Sequence, residues 1–169
     1  MTGDPSARLP LAISSPLALP ETWLVHSDGS AVPNPGRMGL GAVITAPDGV
    51  VHTLSIAADG RGCNNEAELR AVLAALHDLQ ARGATRVRVS CDNSVVVSQL
   101  MGDGMDTVER LAPLFAEART TLQAFADASI RWIPRHRNRA ADALARAAVG
   151  LPPKPVPAVG ERKRKRQKR

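Results

Sequence analysis

Four carboxylates, Asp28, Glu68, Asp92 and Asp142, stand where the hydrophobic pattern of the chain is interrupted rather than inside it. Asp28 follows the β-like run 23–27, Asp92 follows the alternating run Val87, Val89, Cys91, and Glu68 and Asp142 fall in the opening turns of two amphipathic stretches. Packing explains none of these positions. Brought to one place, four acids repel one another by several kcal/mol, so such a cluster persists usefully only with bound cations. An oxygen-only donor set suits Mg2+, with Mn2+ as a substitute, rather than zinc. Two such ions about 3.5–4 Å apart activate a water and neutralise the leaving 3′-oxygen of a phosphodiester. The chemistry these residue types point to is metal-assisted phosphodiester hydrolysis.

Whether the four acids meet depends on the elements that carry them. Residues 23–27, 40–45 and 50–57 read as strands, the last two joined by the turn Pro47-Asp48-Gly49, which predicts an antiparallel meander. Asn64 opens a helix in which Leu69, Val72, Leu73, Leu76 and Leu79 recur at three- and four-residue spacing up to Gly83. A fourth strand ends at Asp92, a short helix runs to Leu100, and Gly102 and Gly104 end it. Val108, Leu111, Phe115, Leu122 and Phe125 mark a further helix, with Pro113 tolerable only near its first turn or at a kink. Residues 130–133 make a fifth strand stopped by Pro134. Asn138 then suits the N-cap of a last helix lined by Ala141, Leu144, Ala145 and Ala148 and ended by Gly150. The order βββαβααβα predicts an α/β fold with a five-stranded mixed sheet and helices on both faces. If strands one and four are parallel neighbours joined by a right-handed crossover, Asp28 and Asp92 emerge side by side at their carboxyl ends. Glu68 and Asp142 then reach the same edge from the first and last helices.

Composition sets the limits of this scheme. At 169 residues and 44% hydrophobic, the chain suits one cored domain with tails. We expect a disordered extension over residues 1–21, a catalytic domain over 22–150, and a Pro-rich linker with a basic tail over 151–169. The formal charge of +6 is local: residues 161–169 (ERKRKRQKR) carry seven basic side chains against one acid, so the rest is electroneutral. Neutralising phosphates is one use for such a tail. No apolar run is long enough for a membrane span, and residues 9–19 lack a basic flank and are broken by Pro10 and Pro16. A cytoplasmic, nucleoid-associated protein is expected. Cys63 and Cys91 have neither disulfide nor zinc spacing.

The motifs around the acids resemble those of the type 1 ribonucleases H, over nearly all of residues 22–150. The blocks are Ser27-Asp28-Gly29-Ser30 with Asn34-Pro35-Gly36, Cys63-Asn64-Asn65-Glu66-Ala67-Glu68, Ser90-Cys91-Asp92-Asn93, and residues 132–138 (WIPRHRN) leading to Ala141-Asp142-Ala143-Leu144-Ala145. The last block stands as in the short branch of the family, which lacks a basic protrusion. The resemblance implies an endoribonuclease that cleaves the RNA strand of RNA/DNA hybrids with two metal ions and leaves 5′-phosphate and 3′-hydroxyl ends. It implies Asp28, Glu68, Asp92 and Asp142 as metal ligands and catalytic residues, and leaves Glu66 an exposed acid at the helix start. Gly29, Asn34, Asn64 and Asn65 would contact the substrate, the asparagines in the minor groove where base edges and the 2′-hydroxyl are read. Asn64 also suits a helix cap.

This chain departs from the family pattern in three places. Cys63 stands where threonine usually helps to hold a phosphate of the DNA strand. The loop before Asp142 is short, so the equivalence of His136 to the family's loop histidine is open, although an imidazole there is a candidate for moving a proton. No basic protrusion fits between Val97 and Val108, and Arg135, Arg137 and Arg139 are candidate phosphate contacts in its place. Two alternatives remain: a non-catalytic nucleic-acid-binding module of the same fold, and a nuclease of that fold acting on another nucleic acid. The complete set of acids disfavours the first; the Asn64-Asn65 pair and the compact size disfavour the second.

Overall fold

The computed structural model describes residues 21–102 and 109–155. Strands β1 (Thr22–Val32), β2 (Gly36–Thr45) and β3 (Val51–Gly62) form the meander, followed by α1 (Asn64–Ala81), β4 (Arg86–Cys91), α2 (Ser94–Met101), α3 (Ala112–Gln123), β5 (Asp127–Trp132) and α4 (Arg139–Ala148). Short 3-10 turns precede α3 at Glu109–Leu111 and α4 at Arg135–Arg137. The strands form a five-stranded sheet of order β3-β2-β1-β4-β5. β1 pairs antiparallel with β2 and parallel with β4, and β4 pairs parallel with β5. The mixed sheet and the element order are those the sequence predicts.

The two faces of the sheet are covered differently. On one, Leu69, Val72, Leu73, Leu76 and Leu79 of α1 pack with Val25, Ile44, Val87, Val89 and Phe115 into the main core. Each fully buried Leu or Val there contributes about 1.5–3 kcal/mol relative to exposure. On the other, Ala141 and Ala145 of α4 lie directly on β2, where a Cβ at Gly39 or Gly41 would overlap the helix backbone. Small residues on both partners let helix and sheet approach to backbone contact. Gly83 and Gly102, both at positive φ, end α1 and α2 as glycine does best.

Two boundaries that differ from the expectation are informative. β1 does not stop at Asp28: its parallel pairing with β4 ends at Ser27↔Cys91, but its pairing with β2 continues to Val32↔Arg37. The turn-rich sequence that reads as a loop is half strand, because β2 supplies its hydrogen-bond partners. Phe125 is buried but lies beyond the end of α3. Pro113 sits in the first turn of α3, where its missing N–H costs nothing. Val108, the N-terminal extension up to residue 20, and residues 156–169 with the basic tail lie outside the described residues. Among the described residues, no helix is long and apolar enough to cross a membrane.

Candidate active site

At Asp28 β1 parts from β4 while staying paired with β2, so its neighbour on the parallel side is the start of the turn carrying Asp92. Glu68 comes from the second turn of α1, which lies so close to β1 that a Cβ at Gly29 would overlap the backbone at Ala67 and Glu68. Ligand oxygens of Asp28, Glu68 and Asp92 all lie within 4.8 Å of one another. Asp28 and Glu68 are buried, and Asp92 is half-buried. Burial is the largest cause holding the carboxyls of Asp28 and Glu68 well above the usual carboxylate range, and the negative neighbours Asp92 and, for Asp28, Asp142 push the same way. Asp92 is raised by burial too, while Arg135 and the Asn138 amide offset part of the effect. Buried acids that resist ionisation alone, crowded within ligand distance and offering only oxygen, fit a hard divalent cation. Cys91, whose buried thiol is pushed far up, donates from Sγ to Glu68 Oε2 at 3.7 Å and so supports this ligand.

Asp142 approaches from α4. It lies outside the 4.8 Å trio, and its Oδ1 accepts from Lys154 Nζ on the segment after the helix, which Arg146 Nε fixes through Pro152 O at 2.8 Å. Beneath α4, the buried Asn138 donates from Nδ2 to Ser27 O at 2.8 Å, tying the start of this helix to the residue before Asp28. Asn138 occupies the expected N-cap position but makes no side-chain cap bond: its Nδ2 serves the cross-tie, and its buried Oδ1 has no partner among the described residues.

The acids open into a cleft of about 770 Å³, whose lining includes Asn34, Asn64, Asn65, Arg135, His136 and Arg139. The amide oxygens of its asparagines are committed to the protein. Asn34 Oδ1 accepts from Asn64 N at 3.1 Å, Asn64 Oδ1 from Ala31 N at 2.9 Å, and Asn65 Oδ1 from Asn93 Nδ2 at 2.9 Å. With each oxygen fixed, the NH2 end remains to donate. Asn64 is therefore a loop tie rather than a cap; Cys63 holds the N-cap position without a side-chain cap bond.

The structure thus brings Asp28, Gly29, Asn34, Asn64, Asn65, Glu68, Asp92, Arg135, His136 and Asp142 around one cleft, while Arg137 is exposed and not among its lining residues. One expectation fails outright. Glu66 is not exposed but 6% accessible, because Gly62 leaves room for its carboxylate and arginines 4 and 44 residues away close over it. Asn93, which caps α2 through Val95 N and Val96 N as well as holding Asn65, and Lys154 were not singled out. Asn93 lay in a recognised block, so its signal was available; Lys154 carries none in its local sequence.

Comparison with known proteins agrees with this geometry. The family model described as "Reverse transcriptase-like" matches residues 26–148. The bifunctional protein Rv2228c of Mycobacterium tuberculosis is 37% identical over 127 residues, 75% of this chain but only 35% of its own length. The solved N-terminal RNase H domain of that protein superposes with a TM-score of 0.70 at 35% identity, covering 75% of this chain and 98% of the solved one. RNase H1 of the halophilic archaeon Halobacterium salinarum gives a TM-score of 0.71 at 34% identity, covering 76% and 97%. LC11-RNase H1, solved in complex with an RNA/DNA hybrid, gives 0.69 at 32%, covering 75% and 96%. The chain spans about a third of the mycobacterial protein's length and 64% of the curated Halobacterium ribonuclease HI. By sequence and by fold, the chain belongs to the reverse transcriptase-like family, as a short member of its type 1 ribonuclease H branch.

Proposed function

We propose that the chain is an endoribonuclease that hydrolyses the RNA strand of RNA/DNA hybrids, using two Mg2+ ions for which Mn2+ can substitute, and leaves 5′-phosphate and 3′-hydroxyl ends. The observation that carries this reading is the meeting of Asp28, Glu68 and Asp92 within 4.8 Å in a cleft whose wall includes Asn34, Asn64 and Asn65, their oxygens tied back. When bound, divalent cations there supply a nucleophile at neutral pH and charge neutralisation at the leaving oxygen. Asp28, Glu68 and Asp92 would hold them, and Asp142, paired with Lys154, would complete the set from α4. The amide donors of Asn34, Asn64 and Asn65 meet minor-groove acceptors and the 2′-hydroxyl, which separates RNA from DNA. Gly29, without a side chain, lets the backbone of the cleaved strand approach the acids. Arg135, Arg137 and Arg139 contact phosphates, the exposed imidazole of His136 moves a proton at the cleft mouth, and the basic tail adds sequence-independent affinity. Such a substrate places the enzyme in the cytoplasm, at the nucleoid.

The test is cleavage of one labelled RNA strand, offered in a hybrid, in duplex RNA and alone, with Mg2+, Mn2+ or EDTA. We expect cutting of the hybrid only, with either metal, leaving 5′-phosphates. Tight binding without cutting would turn the reading to a non-catalytic module, and cutting of duplex RNA or DNA alone would turn it to another nuclease.

A further inference from the structure

Lys154 is the first lysine in the chain, and it lies beyond residues 26–148, the part that matches the family model. Its ammonium sits on Oδ1 of Asp142, the acid that α4 brings to the cleft. Pro153, Lys154 and Pro155 all line that cleft. A cation of the chain's own thus stands where the acids converge.

The contact is built by the segment that carries it. Gly150, at a φ of 78°, turns the chain at the end of α4, and Leu151 N donates to Arg146 O at 2.9 Å. Arg146 Nε then donates to Pro152 O at 2.8 Å. Prolines at 152, 153 and 155 restrict φ and favour an extended course. Arg146 and Asp142 stand four residues apart on one stripe of α4, about 6 Å along the axis at 1.5 Å per residue. Two extended residues, from Pro152 to Lys154, cover roughly the same distance at about 3.1 Å each. The segment therefore runs back along α4, and its own spacing sets Lys154 over Asp142.

Lysine suits a contact that must open. Its ammonium is a compact point charge on a flexible stem, whereas a guanidinium would fork across both oxygens. The side chain of Lys154 is 60% exposed and that of Asp142 18%. An ion pair with one partner so exposed is held weakly, and a divalent cation can displace the ammonium. At Asp92, whose carboxyl is raised chiefly by burial, Lys154 is one of the positive charges that pull the other way, so its influence reaches an acid of the trio.

We propose that residues 151–155 form an autoinhibitory strap, in which Lys154 competes with divalent cations for Asp142. This rests on the reading of the acids as a metal site. The strap makes the full chain require a higher cation concentration than its acids alone would set.

The experiment titrates Mn2+ or Mg2+ into the full chain by calorimetry, without nucleic acid, for the wild type, Lys154→Ala, Lys154→Arg, Asp142→Asn and the double variant Lys154→Ala, Asp142→Asn. Lys154→Ala should tighten Kd about fivefold, and Lys154→Arg, which keeps the charge, should stay within about twofold of the wild type. In the Asp142→Asn background the same Ala substitution should change Kd by less than about twofold, because the ammonium acts through that carboxylate. In hybrid cleavage the Mg2+ concentration for half-maximal rate should fall in step with Kd. Unchanged or weakened affinity in Lys154→Ala overturns the proposal. So does an equal gain in the Asp142→Asn background, which would make Lys154 a general positive charge at the cleft. A wild-type chain that takes up neither ion removes the metal reading and the strap with it. A chain that binds the ions but does not cut the hybrid fails as a nuclease, and the change in Kd still decides the strap.

Discussion

The two walls of the cleft are built on different terms. The α1 wall is interlocked with the sheet: Gly29 meets the backbone of Ala67 and Glu68, Asn64 and Asn65 are tied to Ala31 and Asn93, and Glu68 is buried against Cys91. The α4 wall meets the sheet through glycines and alanines, is tied in by Asn138, and carries its acid near the surface against a lysine. Pre-organisation is therefore concentrated on one side. On the proposed reading, the acid of the α1 wall has its geometry fixed before any cation arrives, whereas Asp142 starts out paired with Lys154.

Substituting acids on each wall is the sharpest way to break this contrast. Asp92→Asn and Glu68→Gln keep the size of the side chain and remove the charge of a ligand in the fixed trio. Each should lower kcat by at least about 10³-fold, beyond the loss of a single oxyanion donor, with hybrid binding still measurable. Asp142→Asn should cost less, about 10–100-fold, the range of a supporting interaction at a metal site, with part of the loss recovered in Mn2+. Steady-state rates over a metal titration check both. Equal losses on the two walls would mean that Asp142 is as firmly placed as Glu68.

A smaller effect separates the walls without catalysis. Asp28 and Glu68 have raised carboxyl values in the folded chain, so between the ordinary carboxylate range and those raised values the folded state binds more protons than the unfolded one. Stability in EDTA must then fall as pH rises through that window. Thermal melts in EDTA should drop by a few degrees from about pH 6 to about pH 8. Saturating Mg2+ should shrink the drop, because cations bind the ionised folded site and are favoured at the higher pH. Asp28→Asn should flatten the profile. Asp142→Asn should change it less, since Asp142 stands outside the trio and pushes Asp28 up less than burial does.

How far the sequence discloses this arrangement follows from the range of the forces involved. The α1 core face is readable because its five aliphatic residues repeat with the helix period and all are buried, and the glycines ending α1 and α2 are equally local signals. The carboxylates that form the trio are readable because acids at the ends of apolar runs have no packing role. The extension of β1 past Asp28 is hidden because its partner β2 satisfies a segment whose own composition says turn. Glu66 is misread for a similar reason: what buries it is a missing Cβ at Gly62 and a side chain at Arg110, neither of which leaves a pattern near Glu66. Ties such as Asn138 to Ser27 span 111 residues and are settled only by the fold.

The least expected loss comes from His136, and its size bears on how loosely the α4 wall is held. The imidazole lines the cleft, is exposed, and sits on the short 3-10 turn between Pro134 and Asn138. A histidine fully committed as general acid or base contributes about 10²–10⁴-fold. An exposed one on a turn shares that work with water, so His136→Ala should lower kcat by only about tenfold and leave KM unchanged. Burst-phase measurements locate the effect: a preserved first turnover with slow later ones assigns the imidazole to product release, and a slowed first turnover assigns it to the proton moved in the chemical step. A loss of 10³-fold would contradict the comparison of the walls, for it would require the turn to be held as rigidly as Glu68.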